Sequence, residues 1–194
     1  MIMSRFLRTA AAVSTAVVAA GLLAGCAETE QKAVPTLPER ICWGGAFAGG
    51  DVAPLLPPGD QAEFSRLAGR PFVLTEDIDS QTCTLYIDGR TRFQAVADFQ
   101  EFEDAVDWSS WDSADPEPLD VGDKGIVWDT GAASYFTCEP AKNPKSPGQY
   151  IELRISLSDP PDTSKLQAAL PELMKDFMTF AQSKLQCPGG SAGR

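Results

Sequence analysis

Near its C-terminal end the chain changes hydrophobic period once, and that change narrows the fold more than any other feature. Ile151, Leu153, Ile155 and Leu157 alternate with Tyr150, Glu152, Arg154 and Ser156. Successive side chains of a strand point to opposite faces, so Gln149 to Ser158 reads as a strand with one apolar and one polar face. Asp159-Pro160-Pro161 stops it. Leu166, Leu170, Leu173, Phe177, Ala181 and Leu185 then recur at helical spacing and form one apolar stripe. A one-faced strand and a one-striped helix bury both surfaces most simply against each other. The expected class is α+β: an antiparallel sheet, wet on one side, with a C-terminal helix packed on its apolar face. Ser164 with Gln167 fits a capping box at the helix start. Pro171 predicts a kink or restart near Leu170, and Cys187-Pro188-Gly189 ends the helix.

Shorter segments supply the rest of a sheet of five or six strands. Phe72-Val73-Leu74 reads as a short strand. Thr82 to Asp88 alternates, with Cys83, Leu85 and Ile87 on one face. Asp88-Gly89 is a hairpin signal, because both residues tolerate positive φ. Thr91 to Ala97 returns, and Gly125 to Trp128 and Ala132 to Cys138 flank the turn Asp129-Thr130-Gly131. Upstream, Ile41 to Phe47 begins as a helical turn weakened by Gly44, Gly45, Gly49 and Gly50. Pro54, Pro57 and Pro58 enforce a loop, and Gln61 to Leu67 reads as a helical turn. Asp98 to Asp123 holds ten acidic residues and no basic one. Phe99, Phe102, Val106 and Trp108 predict a short amphipathic helix there, with 109–124 as a long loop.

The N-terminus carries an export signal. Arg5 and Arg8 give a positive n-region, and Ala10 to Leu23 is an apolar h-region. That run is shorter than the roughly 20 residues a membrane-spanning helix needs. Leu23-Ala24-Gly25-Cys26 resembles the lipobox of bacterial lipoproteins. The resemblance implies cleavage before Cys26 and acylation of its sulfur, so residues 1–25 form a signal peptide outside the fold. Two acyl chains hold stably where one is marginal. From Cys26 to Glu39 the chain is polar and contains Pro35 and Pro38. It reads as a disordered tether to a single domain over 40–187, with 188–194 a disordered tail. The expected location is the extracytoplasmic face of the cell membrane. Removing residues 1–25 takes two arginines and no acid, so 16 basic and 27 acidic residues become 14 and 27, a formal charge of −13. That argues against nucleic acid and against adhesion of the protein surface to anionic lipid.

Beyond Cys26 stand Cys42, Cys83, Cys138 and Cys187. An even number in an exported domain reads as two disulfides. Four cysteines allow three connectivities. Cys42 and Cys187 stand at the two ends of the folded region, and Cys83 and Cys138 each lie in a strand, which favours Cys42–Cys187 with Cys83–Cys138. No C-x-x-C occurs, which removes support for a thioredoxin-type site or a zinc ribbon.

The chain has no histidine, so Ser-His-Asp, Cys-His and His-ligated metal chemistry are excluded. Gly189 to Gly193 matches G-x-S-x-G by letters only, since no strand precedes it and no histidine answers it. No cofactor or metal is called for. The segment 98–123 offers oxygens for calcium but lacks the order of an EF-hand loop. Trp108 and Trp111 are the candidate ligand contacts, as an exposed pair can fill a partner's pocket. The favoured expectation is that they pin the long loop to the core, with Trp111 the better of the two as a contact residue.

The lipobox, the Cys42 turn, Cys83 in an early strand, Val121-Gly122-Asp123-Lys124-Gly125 before a hairpin, and the closing helix ending at Cys187 together show a resemblance. The chain is similar, over about 40–187, to small cell-envelope lipoproteins of actinobacteria, some of which have a PsbP-like fold. That resemblance implies no catalytic residues. The leading expectation is a non-enzymatic, membrane-anchored lipoprotein that binds a protein partner or a small envelope ligand. One alternative is a carrier for an apolar molecule, held in a chamber lined by Leu153, Ile155, Leu173 and Phe177. Another is a hydrolase working through carboxylates alone.

Overall fold

The computed structural model describes residues 33–106, 108–140, 142–143 and 147–187. The expected signal peptide, lipidated Cys26, the first part of the tether and the 188–194 tail lie outside them. Residues 33–39 do not behave as a tether. Val34 and Leu37 pack on the core, Gly59 donates its N–H to the carbonyl of Ala33, and Gly49 donates to that of Glu39. Val34 and Leu37, in a stretch whose polar residues are only Thr36 and Glu39, are enough to lay it on the domain.

Strands β1 (Arg40–Ile41) and β2 (Phe47–Ala48) pair antiparallel where a helical turn was expected. Between them Cys42 and Trp43 take φ of 60° and 51°. Left-handed non-glycine residues cost on the order of 1–3 kcal/mol each. The turn they make drives Trp43 into the core, where it stacks on Phe177 with centroids 5.5 Å apart. Helix α1 (Gly49–Val52) follows and runs into a 3-10 turn at Ala53–Leu55. Helix was also expected over Gln61–Leu67. The first half is instead strand β3 (Ala62–Phe64), and only Arg66–Gly69 is helical, as a 3-10 turn.

Strands β4 (Ser80–Ile87) and β5 (Arg90–Gln100) form the hairpin that the alternation predicts, and Asp88 and Gly89 take φ of 51° and 73° at its tip. The segment 98–123 departs from expectation. β5 consumes its start, two 3-10 turns occupy Glu103–Ala105 and Ser109–Ala114, and β6 (Glu117–Pro118) follows. The remaining strands are β7 (Lys124–Trp128), β8 (Gly131–Glu139) and β9 (Gln149–Leu157).

Among the described residues, seven strands form one antiparallel sheet in the order β3-β4-β5-β9-β8-β7-β6. The short edge strands β3 and β6 take it past the expected five or six, while Phe72-Val73-Leu74 contributes none. Phe72 and Leu74 are buried all the same. Pro118 falls on the outermost strand, where a missing N–H is tolerated.

Helix α2 (Thr163–Leu185) covers the apolar face. Its N-cap is Asp162, whose carboxylate accepts from the Lys165 N–H at 3.0 Å. Ser164 already lies inside the first turn, so the predicted capping box does not form. Pro171 leaves α2 as one segment. A proline in a helix interior costs about 3 kcal/mol. Burying Leu166 and Leu170 before it and Leu173, Met174 and Phe177 after it contributes about 1.5–3 kcal/mol per side chain, which outweighs that cost.

The disulfides are Cys42–Cys83 and Cys138–Cys187, with Cα separations of 5.5 and 4.7 Å. The expected Cys42–Cys187 and Cys83–Cys138 pairing is wrong for a topological reason. Cys83 on β4 and Cys138 on β8 have β5 and β9 between them. Three strand spacings amount to roughly 14 Å, about twice what a disulfide bridges. The first bond instead ties the β1–β2 turn to β4, and the second ties the end of α2 to β8.

Candidate functional site

The register places one polar row across the face of the sheet opposite α2. Ser80 pairs with Asp98, Asp98 with Glu152, Glu152 with Tyr135, and Tyr135 with Lys124. Arg154 lies one row away. The expectation of a wet face holds only in part, because Tyr150, Glu152 and Tyr135 are buried. Trp108 covers Glu152 and Tyr135. Its Nε1–H donates to Glu152 Oε1 at 3.1 Å, its ring meets Tyr135 edge-on at 5.9 Å, and the Lys124 ammonium sits 5.1 Å from its centroid. Tyr135 donates its hydroxyl proton to Glu103 at 2.5 Å. Arg154 pairs with Asp98 and lies 3.7 Å from Glu152.

Burial raises the pKa of Glu152, opposed by the Arg154 charge and the Trp108 donor and assisted by Asp98. Tyr135 is pushed up to about 12, first by its hydrogen bond to Glu103 and then by burial and the nearby charges of Glu103 and Asp123. These groups form a closed clamp that fastens the segment after β5 to the sheet. Trp108 therefore acts as a pin, with its ring covered. Trp111 has its backbone in the Ser109–Ala114 turn, and its side chain lies outside the described residues.

Val121-Gly122-Asp123-Lys124-Gly125 extends the clamp. Gly122 has φ of 76°, and a Cβ there would stand 2.3 Å from the Tyr135 carbonyl oxygen. Only glycine allows that approach. It lets Val121 accept from Ser134 Oγ at 2.6 Å and Asp123 accept from the Thr137 N–H and hydroxyl at 2.7 Å each. Among the described residues no group of three or more acidic or cysteine side chains is placed to hold a metal ion.

Open surface is found elsewhere. A groove of about 300 Å³ lies between α1 with its following turn and α2, lined by Pro54, Leu55, Ala169 and Leu173 with Asp51 and Asp176. A second, of similar volume, includes Pro38, Arg40, Ile41 and Phe64. A third, of about 320 Å³, includes Glu76, Asp79, Phe99, Glu101 and Phe102. None of these three is lined by Leu153, Ile155 or Phe177, which are fully buried. Asp51 and Asp176 were not singled out by the sequence. The one available signal was Asp176 beside the apolar stripe of α2, three residues after Leu173.

The arrangement is thus a disulfide-stapled α+β domain with one face under a helix, the other partly clamped, and grooves at the edges. Comparison with protein-family models, with curated proteins and with solved structures finds no match.

Proposed function

We propose that the chain is a lipid-anchored extracytoplasmic lipoprotein of the small actinobacterial envelope type, working as a binding module and not as an enzyme. The observation that carries the reading is a conjunction. Leu-Ala-Gly-Cys ends at Cys26, and every later cysteine is paired. Disulfides persist in oxidising compartments, which is where a lipobox would deliver the chain.

The packed residues 33–39 shorten the leash that the sequence predicts. From Cys26 to Ala33 a fully extended chain reaches about 25 Å. A domain held that close to a membrane is suited to meeting partners within the envelope. The binding surface is sought in the edge grooves, since Leu153, Ile155 and Phe177 are fully buried between sheet and helix and Trp108 covers Glu152 and Tyr135 on the other face. A carboxylate hydrolase is the second reading, favoured by Asp51 and Asp176 lining one open groove with the pKa of Asp176 raised.

Membrane fractionation of cells making the wild type or Cys26→Ala tests the anchor. The wild type is expected with the membrane and the variant in the soluble extracytoplasmic fraction. The same distribution for both would defeat the proposal. Turnover of envelope peptides, esters or glycans that is abolished by Asp176→Asn would instead establish the hydrolase.

A further inference from the structure

The groove between α1 and α2 has an apolar floor and an unbalanced rim. Pro54, Leu55, Ala169 and Leu173 form the floor, while Asp51, Glu172 and Asp176 face a single lining base, Lys165. Glu172 already has a partner, since Lys175 donates to it at 2.7 Å. Asp51 and Asp176 approach from different elements. Burial and then the Asp51 charge raise the pKa of Asp176, Glu172 adds to this, and Arg40 on β1 opposes it in part. A like charge close by disfavours ionisation, and a cation between the two restores it.

We infer that this groove docks a lysine or arginine side chain of a partner protein, its alkyl stem on Pro54 and Ala169 and its cationic head between Asp51 and Asp176. The inference rests on the binding-module reading and names the chemistry of its partner. Lysine and arginine suit the groove because their stems cover apolar surface while the head stays polar. A bare metal ion would leave the apolar floor unused. An anionic lipid headgroup would be repelled by the rim. The formal charge of −13 left after removal of residues 1–25 favours encounter with cationic partners.

Titration of the full wild-type chain in neutral detergent with a capped lysine–leucine peptide, followed by backbone amide shifts, tests this. The expected result is shifts centred on Gly50, Asp51, Ala169 and Asp176, absent with the acetyl-lysine form of the peptide. Asp51→Asn with Asp176→Asn should weaken binding at least ten-fold while leaving thermal unfolding unchanged. Lys165→Ala, which removes the one base in the groove wall, should bind at least as tightly as the wild type. Shifts confined to the 98–123 segment would overturn the proposal, as would equal affinity of the double variant or of the acetylated peptide. Cys26→Ala leaves the groove intact, so loss of the anchor and loss of this binding are read separately.

Discussion

Glu152 is 7% exposed, with the Trp108 indole as its donor and the Arg154 guanidinium beside it. Its carboxyl is held above the ordinary 4.5, so the folded chain keeps a proton that the unfolded chain has already lost. Stability therefore falls as pH rises from 4.5 through the raised value. Glu152→Gln keeps an acceptor for Trp108 and removes the titration. Urea unfolding across that pH range should show the wild type losing more stability than the variant; parallel slopes would contradict the assignment. Trp108→Phe removes the donor and leaves Glu152 undersatisfied, at a cost of about 1–3 kcal/mol by the same measurement. An unchanged midpoint would mean that the indole is not a pin. That Trp108 would pin the long loop was legible in the sequence; the groups it pins to were not. Alternation put Glu152 and Arg154 on the polar face correctly, but which polar residues a distant loop will cover is not encoded in a strand's own period.

At the scale of elements the strongest periods were read correctly. The β4–β5 hairpin, β9 and α2 each carry an alternation or a stripe long enough to outvote a local exception, Pro171 included. Two- and three-residue strands such as β3 and β6 have too few positions to show a period, and sheet edges recruited them. The cysteine pairing failed for another reason: spacing along the chain says nothing of which strands are neighbours. Cys138–Cys187 closes 49 residues and pins the end of α2 to β8. Replacing both cysteines by serine should cost about 4 kcal/mol in the chain-entropy model. Hydrogen exchange should rise first in the last turns of α2. Exchange that rises first in the β4–β5 hairpin would place the cross-link elsewhere, and non-reducing peptide mapping reads the pairing directly.

For the whole molecule, the fold class followed from one change of period, whereas the role did not follow from any residue set that announces chemistry. Absence of histidine narrows the catalytic options, and the acidic balance narrows the partners. The polar stretch before Arg40 showed only that a linker precedes the domain, because the two apolar residues that fix its second half have no periodic context. The proposed location depends on Cys26. Intact-mass analysis of the mature chain, extracted from membranes of its native host, tests this most directly. The expected mass is that of a polypeptide beginning at Cys26 and carrying a diacylglyceryl group. A chain recovered mainly from the medium, with a bare thiol at Cys26 or with residues 1–25 still attached, would contradict it.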